Sequence, residues 1–581
     1  MEPDLSPSKP AAAPSRKIRL PVLILLLAFV ILCVTSVGRK SATYDETHYL
    51  GAGRYLLTTH RWDLPDSLLH PVFWTVWHDL PLLTVSAPGR VWDERADILR
   101  GQNILALRTD DSLLNACRLM SLPFAVGLGL IIFAWSCKLY GDTGGILSLL
   151  FFCFCPNFLA HAPLMTPDLT LSCLAVATVW RLWRLTGQPT RLNLLWAGIA
   201  LGLMLLTKYT ALLLVAIFFV TDCAGRIALG RLRHPFPQTV WREFRHWPVL
   251  LGFSFLLIWA AYGFCIGGFT MPSGRWLTLP AAPYFQGAVF QFLQSQSPHS
   301  FFLMGMHSEF GWWYYFIVVC LIKIPLGVLL LLAALAVGHR WLGNTWRPDE
   351  LYLLLPFALL FVYLSAFNTI QNGFRYLLPV YPLLLIWLGN YGAALVQKSS
   401  VRIAVGILAG WTALGTLLAW PDYLPYFNEL IGGPRNGYHW LGDSNVDWGQ
   451  DLKELKRFMT GHDIDRVQLS YFGTADPAHY GIQYEYLPSA NSGLPGSPPL
   501  PPGTPPARFV ALSAYQYQGI GFPDKETYRF FYRFVPNDIV GKSILIFDLK
   551  TLIPRTQAPL PFRIRQLFGL ATNNAPVDSC P

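Results

Sequence analysis

Runs of apolar residues long enough to cross a hydrocarbon core ~30 Å thick recur from Leu20 to Trp420, separated mostly by short polar segments. They predict about eleven helical spans. These lie near 20–38, 118–137, 144–160, 169–184, 192–206, 209–222, 248–266, 312–337, 351–367, 376–396 and 402–420. Two intervening stretches are long, about 39–117 and 267–311. Beyond Trp420 the pattern changes, and short apolar runs at Val467–Phe472, Phe509–Ser513 and Ile544–Leu549 read as strands. Trp448, Leu452, Leu455 and Met459 fall at helical spacing behind Asp447 and Gln450, which have the Asp-x-x-Gln form of a capping box. A Pro/Gly linker runs from Gly493 to Pro506. The expected fold is a polytopic α-helical membrane protein: a tail at 1–19, a transmembrane domain at 20–420 and a small C-terminal α/β domain at 421–581. No repeat of 20–50 residues is evident, which argues against a solenoid.

Composition agrees: 53% of the 581 residues are hydrophobic and 13% charged, against roughly 25% charged in soluble globular proteins. The net charge of +10 does not point to nucleic acid, because the Lys and Arg residues gather in short loops, the signature of membrane topology. With the N-terminus cytoplasmic, one side carries most of these basic residues. The other has Lys208, Arg275 and Arg375 once the long first loop is set aside. An odd number of spans then places both long loops and everything after Trp420 on the outer, periplasmic or lumenal, side. Arg16, Lys17 and Arg19 precede Leu20–Val37 with no small-residue cleavage site, so this segment reads as a retained first span. Of ten cysteines most lie within apolar runs and none forms a C-x-x-C pair, so neither a disulfide framework nor a zinc ribbon is indicated.

Several groups are candidates for chemistry. Tyr44-Asp45-Glu46-Thr47-His48-Tyr49 puts adjacent carboxylates just beyond the first span, where they pair, bind a cation, serve as a base, or simply face water. His161-Ala-Pro-Leu-Met-Thr-Pro-Asp168 forms a short loop on the same side, and Asp168 alone reads equally as a helix cap. Lys208, Lys323 and Arg375 are cations at the outer boundary or within the membrane. Lys323 falls ~16 Å along a straight helix from Trp312, near mid-membrane, either as a functional cation or bonded to carbonyls freed at Pro325. Arg375 suits a phosphate through its planar fork. Asp443 to Glu454 approximates a calcium loop but has Trp448 where glycine is required, which favours helix capping.

At Asp45-Glu46 the chain resembles the GT-C glycosyltransferases, in the family of protein O-mannosyltransferases and lipid A aminoarabinose transferases. Further matching segments are His161 to Asp168, Leu206-Thr-Lys-Tyr-Thr210, Gly311-Trp-Trp-Tyr-Tyr-Phe316 with Lys323-Ile-Pro325, and Arg375-Tyr-Leu-Leu-Pro379. Tyr426 to Gly437, Asp443 to Asp451 and Tyr471 to Pro477 look like the bacterial phospholipid carrier-dependent subgroup. The resemblance implies a GT-C fold in the bacterial inner membrane and a sugar donor on polyprenyl phosphate. By position, Asp45 becomes the catalytic base, Glu46 its structural neighbour and Asp168 a second acid. Arg375, then Lys208, then Lys323 become the phosphate-binding cations. Aminoarabinose transferases carry Arg three positions after the motif Asp, where this chain has His48, so donor contacts specific to that subfamily are not implied. His70 and His78 resemble a loop roofing the family's cavity, or pack at the interface.

The function this implies is inverting transfer of a sugar to an acceptor hydroxyl on the periplasmic side. The acceptor is a glycan, a lipid or a protein, and protein O-mannosylation proper is the nearest alternative. A lipid-sugar flippase or a non-catalytic polyprenyl-phosphate binder is the alternative from another class. The sequence points to no particular cofactor; a divalent cation held by Asp45, His48, His161 and Asp168 is left open.

Overall fold

The computed structural model describes residues 16–62, 68–92, 96–230, 243–297, 299–338, 346–492 and 503–562. All of the expected apolar segments are helical, but they differ in continuity. Among the described residues, five helical stretches are long and apolar enough to cross a membrane, or six if the bent pair Tyr315–Lys323 and Leu326–Gly338 counts as one span. Arg191–Leu205 and His246–Ala261 are shorter apolar helices.

Three breaks shape the bundle. Within Leu122–Cys153 the helix is interrupted at Gly141, with φ 79° and ψ 176°, a conformation glycine adopts without cost. The two arms fold back on each other: Ser136 and Ser148 hydroxyls lie 2.9 Å apart, and a Cβ on Gly145 would stand 3.0 Å from the Phe133 carbonyl. The second break follows Lys323, where the helix axis turns by 114° because Pro325 has no N–H to continue the ladder. The freed carbonyls are capped by one residue: Asn428 Nδ2 donates to Leu321 O at 2.6 Å and Ile324 O at 2.8 Å, and its backbone N–H to Ile322 O at 2.9 Å. The third interrupts the expected span 376–396, which runs as Tyr381–Trp387, a 3-10 turn and Tyr391–Gln397. Tyr381 to Gly392 are buried, and Gly389 and Gly392 admit the Tyr140–Gly144 turn at close range.

After Trp420 the chain builds a five-stranded mixed sheet in the order Tyr484–Tyr486, Val467–Ser470, Phe509–Ser513, Ile544–Asp548, Asp538–Val540. The first three strands are parallel and the last two pairings antiparallel. The three predicted strands are present; the short strands at 484–486 and 538–540 carry too few apolar residues to stand out. The predicted helix begins later than its periodicity suggests, at Leu452–Gly461, and the capping box does not form. Gly449 takes φ 85°, Gln450 Oε1 accepts the Trp448 N–H, and Asp447 accepts N–H bonds from Gly449 and Tyr515.

The region after Trp420 and the first long loop share one apolar core. Ala42, Tyr49, Leu50 and Ile104 pack in a cluster with Leu452, Leu455, Val467 and Leu469. Backbone bonds join them too, from Ser41 N to Gln450 O at 2.9 Å and Tyr44 N to Trp448 O at 2.7 Å.

Candidate active site

The site begins with one turn of helix, Tyr44–Tyr49, capped at Thr43. Glu46 at the third helical position accepts the Thr43 N–H at 2.8 Å, the return half of a capping box. The same carboxylate is buried and gripped by Arg118, Nε to Oε1 at 2.8 Å and Nη2 to Oε2 at 2.6 Å. Oε1 also accepts the Met165 N–H at 3.0 Å, and Arg118 donates onward to Ser41 O at 2.7 Å. Burial alone would raise the Glu46 carboxyl, but Arg118 and the two backbone N–H groups outweigh it and hold the group below its usual range. Glu46 is thus a rivet that pins the 44–49 helix to the 161–168 loop.

Asp45, on the same turn, has the opposite environment. Its Oδ2 accepts Arg375 Nη1 at 3.3 Å, and its side chain is 23% exposed. Arg375 stands in the 3-10 turn Phe374–Tyr376, with its guanidinium 4.5 Å from the centre of the Trp448 ring and its Nε without a hydrogen-bond partner. Burial disfavours its charge, yet Asp45 and Asp168 together raise its pKa above the ordinary arginine value.

Asp168 is in the first turn of Pro167–Gly187; Thr166 takes the cap position, so the capping alternative for Asp168 is not realised. Lys208 Nζ donates to Asp168 Oδ1 at 2.7 Å, and Oδ2 has no partner. Burial would raise this carboxyl, but Lys208, Arg375 and His161 hold it well below the usual carboxylate range. His161 lies edge-on to Trp448, centroids 6.1 Å apart. Burial pushes it down to about 4, so it is neutral at neutral pH with Nδ1 unpartnered. Asp45, Arg375, Asp168, Lys208 and His161 therefore form one electrostatic cluster.

The remaining candidates sort differently. His48 stacks obliquely beside Tyr44 at 5.3 Å. His78 is not a cavity residue: it is buried, with Nδ1 3.1 Å from Cys117 O and Nε2 3.3 Å from Ser121 Oγ. His70 bonds the Tyr49 hydroxyl at 3.0 Å through Nε2 while its buried Nδ1 has no partner, and Lys208, Asp168 and Arg375 act on its charge, so it borders the cluster. Lys323 does not sit midway along a straight span. Its ammonium donates to Leu424 O at 2.8 Å and Asn445 O at 2.9 Å, so it bonds carbonyls of the segment beyond Trp420 instead of those freed at Pro325.

The calcium-like run disperses its oxygens. Asp451 accepts from Lys40 and Ser543, both at 2.6 Å, Glu454 from Arg457 at 2.6 Å, and Asn445 Oδ1 from Phe374 N at 3.3 Å. Among the described residues no three His, Cys, Asp or Glu side chains converge where they could hold a metal ion.

Arg118 is absent from the sequence candidates, and Trp448 figures among them only in a helical stripe and at the glycine position of the calcium-like run. Arg118 heads an apolar run, where a charge needs a partner, and that is the signal that identifies it.

Residues 104–240 match the family model described as dolichyl-phosphate-mannose-protein mannosyltransferase. Among solved structures the chain is similar to ArnT from Cupriavidus metallidurans in the apo state, at 12% identity and TM-score 0.47, covering 90% of this chain and 97% of that one. The same protein bound to undecaprenyl phosphate matches at 12% identity and TM-score 0.45, covering 92% and 98%. The Archaeoglobus fulgidus oligosaccharyltransferase in the apo form matches at 12% and 0.38, covering 69% and 54%. None of the curated proteins matches the chain. The segment that fits the family model carries Arg118, His161, Asp168 and Lys208.

Proposed function

We propose that the protein moves a sugar from a polyprenyl-phosphate donor to an acceptor hydroxyl, with inversion at the anomeric carbon, on the periplasmic face of a bacterial inner membrane. The observation that carries this reading is the pairing of Asp45 with Arg375 at 3.3 Å, beside the Asp168–Lys208 pair at 2.7 Å. One displacement at the anomeric carbon needs a base for the acceptor and positive charge for the leaving phosphate. The acceptor oxygen bonds to the anomeric carbon, its proton passes to Asp45, and the glycosidic C–O bond breaks with its electron pair going to the phosphate. Arg375 and Lys208 stabilise that charge, and no general acid is needed. A donor phosphate competes for the Arg375 guanidinium, so donor binding releases Asp45 to face the acceptor. The description of the matching family model, with its dolichyl-phosphate-linked mannose, supports a lipid-phosphate sugar as the donor class.

The test is transfer of radiolabelled sugar from synthetic polyprenyl-phosphate donors by the purified protein in membrane extract, wild type beside Asp45→Asn. Label entering a new product with the wild type alone supports the reading, and the product identifies the acceptor. Binding without transfer from any donor favours the flippase or the lipid-phosphate binder.

A further inference from the structure

The turn Asp443–Asn445 lies against the segment that carries Arg375. Ser444 Oγ donates to Asn372 O at 2.7 Å, and Asn445 Oδ1 accepts the Phe374 N–H at 3.3 Å. Asn445 Nδ2 donates to the Tyr315 hydroxyl at 3.1 Å, and Lys323 fixes the Asn445 carbonyl at 2.9 Å. The fit leaves no room: Gly373, at φ 96°, could not carry a Cβ, which would stand 2.3 Å from Asn445 Oδ1. Asp443 and Arg375 are therefore opposite ends of one rigid clasp.

Asp443 takes a left-handed conformation, φ 54°, uncommon for a residue with a side chain. Its Oδ1 accepts the Ser444 N–H at 2.5 Å. The Ser444 hydroxyl also acts on this carboxylate, and the side chain is partly exposed. Arg375 and Asp45 both act on its charge, in opposite directions, which places it at the same cluster.

We propose that Asp443 binds the transferred sugar: its partly exposed carboxylate accepts a hydrogen bond from a ring hydroxyl, while Arg375 holds the phosphate on the same sugar's anomeric carbon. The inference rests on the reading of Arg375 as the phosphate contact. The ligand class is a neutral, polyhydroxylated sugar on a lipid phosphate. An open carboxylate on a fixed backbone suits a hydroxyl, since a hydrogen bond to a charged acceptor adds both affinity and selectivity.

The experiment compares wild type and Asp443→Asn, full chain in detergent, for binding of polyprenyl phosphate and of polyprenyl-phosphate hexose. Asparagine tolerates the left-handed backbone, so the clasp is retained. The expected result is a loss of about tenfold or more for the sugar-bearing lipid and less than about twofold for the bare lipid phosphate. A series of deoxyhexose donors identifies the hydroxyl: its removal weakens wild type by the same factor and leaves the variant unchanged. Equal weakening of both lipids overturns the proposal and assigns Asp443 to positioning Arg375. No change in either also overturns it. If wild type binds both lipids but transfers from neither, the transferase reading fails while the difference between the lipids still decides the role of Asp443.

Discussion

Glu46 and Arg118 stand 2.6 Å apart with both side chains wholly buried, and the adjacent Asp45 pairs with Arg375 at a partly exposed position. Two consecutive carboxylates thus have separate environments, one buried and holding the loops together, the other partly exposed beside Arg375.

Breaking the buried pair from one side leaves a charge without compensation. Arg118→Ala is expected to destabilise the protein by about 3–5 kcal/mol. Glu46→Gln should cost a similar amount, because it leaves the buried Arg118 guanidinium without a counter-charge and turns an amide NH2 toward groups that donate to Glu46. Thermal unfolding in detergent checks both, and an Arg118→Ala variant as stable as wild type would show that the rivet carries no energy.

At Arg375 the shape of the cation matters as well as its charge. Arg375→Lys keeps the charge but loses the fork and the face against Trp448, and should weaken polyprenyl-phosphate binding by tenfold or more. Lys208→Ala should weaken it less, because Asp168 already neutralises that ammonium. Equilibrium binding of labelled lipid phosphate ranks the two, and the reverse order would move the phosphate to Lys208.

His161 introduces a pH dependence. Burial lowers it from 6.5 to about 4 in the fold, so the unfolded chain binds the proton more readily. Its contribution is complete above pH 6.5, declines as pH falls through the window from 6.5 to about 4, and amounts to about 3 kcal/mol. The melting temperature of wild type should fall across that window, and His161→Gln should flatten part of the decline. An unaltered slope in the variant would assign the effect to His70, also lowered by burial, to about 3, or to His78.

Asn428 is expected to be sensitive out of proportion to its size. Asn428→Ala strips the caps from Leu321 and Ile324 carbonyls, at about 1–3 kcal/mol for each buried acceptor left unpaired. Unfolding midpoints of Asn428→Ala and Asn428→Asp measure this, with the aspartate at least as damaging because it cannot donate.

Helix positions were legible because span-length apolar runs signal themselves by length. The breaks were less so: Pro325 announces its kink, whereas Gly141 matters through its positive φ and Gly389 through close approach to Ser136 and Tyr140, neither of which periodicity registers. Of the candidate site, Asp45, Asp168, Lys208 and Arg375 were named from the sequence and lie together in the structure. The partners were hidden by distance along the chain. Glu46 finds Arg118 72 residues later, and Arg375 finds the face of Trp448 and the clasp of Ser444 and Asn445. Lys323 gives its ammonium to the Leu424 and Asn445 carbonyls, more than 100 residues away along the chain, a contact that counting along the span does not register.

The backbone bonds from Ser41 to Gln450 and from Tyr44 to Trp448 have a consequence for biogenesis. Synthesis runs from the N-terminus, so the helix bearing Asp45 emerges first, meets Arg118 and Met165 through Glu46, and gains its contacts with Trp448 to Gln450 only from residues made about 400 positions later. A chain released before Trp448 and Gln450 are made therefore lacks the backbone bonds that hold Ser41 and Tyr44 in place.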